Sequence, residues 1–446
     1  MSLDLKTGED QPVTSLSELE SYFREAEKPA DALRLGLEHE KLVYPRGGAT
    51  PVPYEGPAGI RALLEKLTAA GWEPFRESPS APPIALTRGE ATVSFEPGGQ
   101  LELSGTPVTT ARAAHEENLR HLAEVKAAAE PSGLSLVTLG YRPFDSVEAM
   151  PWMPKSRYRA MRQTLGARGR YALNMMLMTA TGQVSLDWTD EADCARKVTL
   201  ASRLTPLWVA LYANSPLVEG RPSGFMSFRS EVWTGVDPSR CGYVPAVFDG
   251  SFSYRAYVEW ALDAPLLFLR RQGAYLTPPI TFRELLARGY QGTVATRSDW
   301  VDHLSTLFPE VRIKRVMEVR GADGVNPALT GALAALLRGI FYDRAAMDEA
   351  EQLLPALRRD EHLAFHAAAR RGGLSQRWKS ARLAELALEL LAIARRGLLR
   401  LDALDAPLLD PLEELARQGR SPAEEVLAAW AAAPRPAELL QRFTIG

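Results

Sequence analysis

Along residues 90–105, EATVSFEPGGQLELSG, polar and apolar side chains alternate on either side of Pro97-Gly98-Gly99. Thr92, Ser94 and Glu96 share one face and Val93 and Phe95 the other; past the turn, Gln100, Glu102 and Ser104 stand opposite Leu101 and Leu103. Successive strand residues point to opposite faces, so this pattern predicts a hairpin with one polar and one apolar face. The same period predicts a strand in LRLGLEHEKLVY, with Glu38 and Glu40 on one side and His39 on the other. MLMTATGQVSLDW alternates Gln183, Ser185 and Asp187 against Val184, Leu186 and Trp188, and VRIKRVMEVRG sets Glu318 and Arg320 against Met317 and Val319. LSLVTLGYRPF reads as a further strand.

Helical signals lie between these strands. SLSELESYFREAEK opens with a capping box from Ser15 to Glu18, and EGPAGIRALLEKLTAAG has Pro57 near its start and Gly71 past its end. Residues 110–129 and ADCARKVTLASRLTPLWVALYANS, the latter closed by Asn214 and Pro216, also predict helices. MPKSRYRAMRQTLGARGRYALNMM is a basic stretch of loop and helix. Residues 219–250 carry Gly, Pro and aromatics without a period and read as a long functional loop. From about residue 327 the chain is Ala/Leu/Arg-rich and helical. The expected class is α+β, with a catalytic portion at 1–330 and a helical portion at 331–446 packed on it, or one continuous domain.

Composition narrows the partners. The 446 residues are 46% hydrophobic and 24% charged with a formal net charge of −3, so no basic excess points to nucleic acid. No apolar run reaches the roughly 18 residues of a membrane span, and the polar start MSLDLKTGEDQPVTS does not read as a signal peptide. Cys194 and Cys241, with no CxxC pair, argue against a zinc site or a disulfide framework and fit a reducing cytoplasm.

Glutamates recur on the strands: Glu38 and Glu40, Glu96 and Glu102, then Glu318 beside Arg320. Neighbouring carboxylates repel, and removing them from water is costly without a cation between them. If their faces line one concave sheet, Mg²⁺ answers the repulsion, because it is a hard cation that bridges carboxylates to phosphates. Lys155, Arg159, Arg229 and Arg320 then supply clamps for phosphate or carboxylate groups, which is the equipment of phosphoryl transfer. Each feature alone has a plainer reading. One E-x-E strand is most often a solvated face, Glu318 and Arg320 a salt bridge, Gln183 an exposed side chain, MPKSRYRAMR a basic surface, and His39 a core histidine. No GxxxxGK[ST] or GxGxxG motif is present, so any nucleotide is held by a different arrangement.

Taken in order, EHEKLVY, FEPGGQLELSG, MPKSRYRAMR, NMMLMTATGQVSLDW, ANSPLVEGRPSGFMSFRSEVWT and MEVRGADG resemble the plant and proteobacterial type of glutamate–cysteine ligase. The resemblance implies a glutamine-synthetase-like fold, an antiparallel sheet curved into a half-barrel with helices outside. It implies ligation of L-glutamate to L-cysteine through γ-glutamyl phosphate, with ATP as co-substrate and Mg²⁺ as cofactor, by a monomer or homodimer. By similarity Glu38, Glu40, Glu96, Glu102 and Glu318 ligate magnesium, and Gln183 and Arg320 are catalytic. Arg229 and Trp233 bind the amino-acid substrate, and Lys155 and Arg159 contact nucleotide. Leu37 and Leu42 depart from the family's usual residues beside the EHE motif, and Cys194 and Cys241 match no redox pair, so no thiol switch is expected. A γ-glutamyl ligase for another amine or thiol pathway, such as ergothioneine synthesis, shares the same metal cluster. A non-catalytic glutamate or nucleotide sensor has little use for one.

Overall fold

The computed structural model describes residues 11–445, so the reading of the first ten residues lies outside it. Among the described residues, nine strands form the main sheet: β1 (Leu35–Pro45), β2 (Glu73–Phe75), β3 (Ala85–Arg88), β4 (Ala91–Phe95), β5 (Leu101–Ser104), β6 (Leu134–Val137), β7 (Thr181–Leu186), β8 (Val311–Ile313) and β9 (Met317–Asp323). Their order is β8-β9-β7-β1-β5-β4-β3-β2, with β6 paired to the far half of β1. Every pairing is antiparallel, and helices fill most of the remaining chain, so the class is α+β. No helix among the described residues is long and apolar enough to cross a membrane.

β1 is the centre because three partners share its length: β7 along Leu35–His39, β5 along Glu38–Lys41 and β6 along Leu42–Pro45. Its rear face packs on the helices Ala111–Ala129 and Pro327–Phe341. His39 belongs to that face: its Nδ1 lies 3.1 Å from Asn118 Oδ1 and its Nε2 3.1 Å from the Val325 carbonyl. Asn118 Nδ2 has no partner among the described residues, so turning the amide lets it donate to Nδ1 while Nε2–H donates to Val325. Burial holds this imidazole neutral, with its pKa down at about 3. His39 is therefore a core residue behind the sheet.

In the Pro327–Phe341 helix every residue from Leu329 onward is buried, as expected of a helix apolar all round. Each of its buried leucines contributes about 2 kcal/mol relative to exposure. The 330/331 division falls inside this helix, and its residues share one core with β7 and β9.

Two sequence expectations change. VRIKRVMEVRG is a hairpin of β8 and β9, closed where Lys314 N donates to Val316 O (2.9 Å), not a single strand. The stretch 219–250 contains a helix, Phe228–Thr234, capped by the Ser227 hydroxyl, which accepts from Ser230 N at 3.1 Å. Seven residues make less than two turns, too few to show a helical period.

Candidate active site

The register of the sheet gathers the glutamates on its front face. Glu40 pairs with Glu102, which pairs in turn with Ser94; Glu38 sits between Gln183 and Ser104; Ser185, Glu318 and Arg312 form the next row. Glu96 follows β4 in the turn, where its N–H donates to Gln100 O (3.0 Å) and its carbonyl accepts from Gly99 N (2.9 Å). Gly99 has φ +82°, and a Cβ on Gly98 would come within 2.2 Å of the Leu177 carbonyl oxygen. The Pro-Gly-Gly turn is therefore required to seat Glu96 against the Ala172–Met178 helix.

Oxygens of Glu40, Glu96 and Glu102 all lie within 4.8 Å of one another. Glu40 accepts from Thr181 N (3.0 Å), and Glu102 accepts from the hydroxyls of Ser104 (2.8 Å) and Ser94 (3.4 Å). Like charges directly opposite on adjacent strands destabilise a sheet. Burial, then Glu96 and Glu102, push the Glu40 carboxyl well above its ordinary range. Burial and Glu102 push Glu96 up to about 7, against the lowering influence of Lys155. Lys155 is buried, donates to the Phe95 carbonyl (2.7 Å), and is itself brought down to about 8 by burial. Glu40 and Glu96, two buried oxygen donors held partly protonated beside a third carboxylate, fit a site that exchanges those protons for a hard divalent cation.

The other end of the face is cationic. Glu318 is buried between Arg312 Nε (2.5 Å), Lys314 Nζ (2.7 Å) and Arg320 Nη1 (3.4 Å). Despite burial, Arg312 and Lys314 hold its carboxyl well below the usual range. Arg320 also donates to Gln183 Oε1 (2.6 Å), which fixes the guanidinium above the sheet. Three cations around one carboxylate leave positive charge for an anion. The cavity between the two ends is lined by Glu38, Glu40, Glu96, Glu102, Gln183 and Arg320, with Arg157, Arg312 and Lys314 also at its wall. Larger hollows along the C-terminal segment have no such cluster; chemistry rather than size locates this site.

Arg229 and Trp233 come from the Phe228–Thr234 helix, beside the cavity. The Arg229 side chain is 3% exposed; its Nη2 donates to Arg320 O (3.1 Å) and its Nη1 lies 4.0 Å from Asp323 Oδ1. Arg229 Nε and Trp233 Nε1 are buried donors with no partner among the described residues. The guanidinium carbons of Arg229 and Arg320 lie 5.9 and 5.8 Å from the Trp233 ring centre.

The five glutamates, Gln183, Arg320 and Lys155 thus meet on or beside one face. Arg159 does not: it is exposed, while Arg157, two residues earlier, reaches the cavity. Arg157, Arg312 and Lys314 escaped the sequence reading, the last two because their hairpin turn contains no Gly, Pro or Asn.

An antiparallel sheet presenting clustered carboxylates beside clustered guanidiniums, with helices behind it, is equipped to hold a metal ion and phosphate groups together, as phosphoryl-transferring enzymes do. Residues 34–440 match the family described as Glutamate-cysteine ligase family 2 (GCS2), and the chain belongs to that family. It is 37% identical over 422 residues to a chloroplastic glutamate–cysteine ligase of Medicago truncatula, covering 94% of this chain and 82% of the relative. It is 38% identical over 426 residues to the chloroplastic glutamate–cysteine ligase of Arabidopsis thaliana, covering 94% and 80%. Among solved structures, its fold is similar to that of a glutamate–cysteine ligase from Francisella tularensis in complex with AMP, with TM-score 0.58 and 12% identity over 92% of this chain and 88% of the other. It is also similar to a bifunctional glutathione synthetase from Pasteurella multocida, with TM-score 0.51 and 15% identity over 97% and 53%.

Proposed function

We propose that the front face of the sheet joins the γ-carboxyl of L-glutamate to the amine of L-cysteine, converting ATP to ADP and phosphate and releasing γ-glutamylcysteine. The observation that carries this reading is the juxtaposition of the Glu40–Glu96–Glu102 trio with the Arg312–Lys314–Arg320 cluster. Glu40, Glu96 and Glu102 would hold Mg²⁺, with Glu38 and Glu318 as further carboxylates on the phosphate side. The metal supplies positive charge to phosphate oxygens when bound.

The chain's own residues do the rest. Arg312, Lys314, Arg157 and Lys155 hold the phosphates, and Arg159 serves at most the outer, exposed end of the nucleotide. The α-carboxylate of glutamate satisfies the two donors left open at Arg229 Nε and Trp233 Nε1. In the first step a γ-carboxylate oxygen attacks the γ-phosphorus, ADP leaves, and γ-glutamyl phosphate forms. Arg320, steadied by Gln183 and Glu318, stabilises the charge on the transferring group. In the second step the amine of cysteine attacks the acyl carbon and loses a proton, and phosphate leaves with the γ-oxygen.

We take the sheet as the half-barrel of a glutamine-synthetase-like fold, because one face gathers the site and the other packs on helices. We treat residues 1–330 and 331–446 as one continuous unit, and place the reaction in the cytoplasm, in keeping with two free, buried thiols. Glutamate labelled with ¹⁸O in its γ-carboxyl tests the mechanism: one label should appear in the phosphate per turnover. Unlabelled phosphate would rule out an acyl phosphate.

A further inference from the structure

The Phe228–Thr234 helix is too short to hold its own direction, since isolated helices of this length are unstable in water. Its orientation is set from outside. Ser227 Oγ donates to Asp323 (2.8 Å), Arg229 N donates to Ser215 Oγ (3.0 Å), and Glu231 pairs with Arg370 (2.8 Å) and Arg170 (3.1 Å). A further buried tie comes from the helix Arg359–Gly372. His366, 2% exposed, places Nε2 3.0 Å from Ser230 Oγ and Nδ1 3.0 Å from the Tyr243 hydroxyl.

Those two hydroxyls belong to different walls of the site. Ser230 lies between Arg229 and Trp233 in sequence. Tyr243 follows the Cys241–Gly242 bridge strand, which pairs with Phe308–Pro309, and Phe308 lines the cavity with its ring 5.6 Å from that of Trp233. Burial keeps the His366 ring neutral, so one nitrogen accepts and the other donates, and both hydroxyls are satisfied at once.

We infer that His366, from the C-terminal helical region, is a positioning residue that fixes the Arg229–Trp233 helix against the Tyr243–Phe308 wall through its two hydroxyl contacts. The inference rests on the reading of Arg229 and Trp233 as contacts of the glutamate carboxylate. His366 touches no reacting atom; it determines where two donors point. Losing both contacts removes the link between Ser230 and Tyr243 and leaves the helix held only by its ties to Asp323, Ser215, Arg370 and Arg170, so that its last turn can shift. A displacement of about 1 Å takes a donor out of hydrogen-bond range of a bound carboxylate.

The test compares His366→Phe, His366→Gln and Arg229→Lys in the full-length enzyme, with KM for glutamate and ATP, kcat, and thermal unfolding measured for each. Phe keeps the ring and removes both contacts; Gln can restore a donor and an acceptor. His366→Phe should raise KM for glutamate about ten-fold while kcat and KM for ATP change less than about three-fold, the signature of lost substrate binding. His366→Gln should recover most of the difference. A His366→Phe variant that melts earlier but binds glutamate normally, beside a raised KM in Arg229→Lys, overturns the inference alone. An unchanged KM in Arg229→Lys overturns the carboxylate reading and the inference with it. If His366→Phe fails to fold, Ser230→Ala removes one contact without opening the core and carries the same expectation in smaller degree.

Discussion

Replacing Glu40 by Gln should move stability and activity in opposite directions. Glu40 is buried directly across from Glu102, and oxygens of the trio lie within 4.8 Å of one another. At that separation two unit charges in an effective dielectric of about 20 repel by about 3 kcal/mol, so full ionisation against two neighbours is strongly unfavourable. Glu40 avoids part of this by retaining its proton, as its raised pKa records. A raised folded-state pKa means that the folded protein binds more protons than the unfolded chain. The penalty is therefore absent below about pH 4, near the unfolded carboxylate value, and grows as pH rises above it. The amide is nearly isosteric, carries no charge, and can still accept the Thr181 N–H, now at 3.0 Å. In chelator-treated protein at pH 8, Glu40→Gln should gain about 1–3 kcal/mol, and the gain should vanish near pH 4. Mg²⁺ should stabilise the unmodified protein, by about 2.7 kcal/mol at a hundred times its Kd, and should stabilise the variant little while turnover is lost. Thermal unfolding with chelator and with Mg²⁺ at both pH values reads all of this. A variant less stable than its parent without metal at pH 8, or equally stabilised by Mg²⁺, would refute the reasoning.

Other expectations follow from the same geometry. Mg²⁺ affinity, measured by calorimetry, should strengthen as pH rises through about 7, where Glu96 gives up its proton, and should weaken below it. Arg320→Lys keeps the charge but loses the planar guanidinium whose Nη1 reaches both Gln183 and Glu318, so kcat should fall about 10²-fold with KM for glutamate little changed. Gly98→Ala forces a Cβ against the Leu177 carbonyl and should cost about 1–3 kcal/mol in denaturant unfolding while weakening Mg²⁺ binding through Glu96. Burial pushes the thiol of Cys241 up to about 12 and that of Cys194 far above its usual range; both should resist thiol reagents in the native protein, and mild oxidation should leave activity intact. A Cys194–Cys241 disulfide accompanying lost activity would contradict this.

The parts of the site legible in the sequence are those whose strands repeat with period 2 over several residues. Glu38, Glu40, Glu96 and Glu102 could be placed on one face because β1 and the β4–β5 hairpin alternate cleanly around an unmistakable Pro-Gly-Gly turn. Arg312 and Lys314 could not, because polar residues fall on even positions both before and after the turn, and the chain reverses on Lys314-Arg315-Val316, residues without a turn preference. The difference is local but consequential: the pattern gives Glu318 one cationic neighbour, Arg320, where the structure gives it three. The pattern puts Arg229 in a loop because its helix is shorter than two turns, and His366 gives no signal at all, since its partners lie more than a hundred residues away. The exposed Arg159 and the inward Arg157 show a further limit of pattern reading. A basic cluster names a surface, but only the helix phase of Ser156–Leu165 decides which side chain turns inward.

The most direct measurement is ADP release with ATP, Mg²⁺ and L-glutamate across a panel of amine acceptors, with the ligated product identified by mass. L-Cysteine should drive ADP release one-for-one with γ-glutamylcysteine, and omitting Mg²⁺ or cysteine should abolish it. ADP release independent of cysteine, or clearly faster with another amine, would contradict the account.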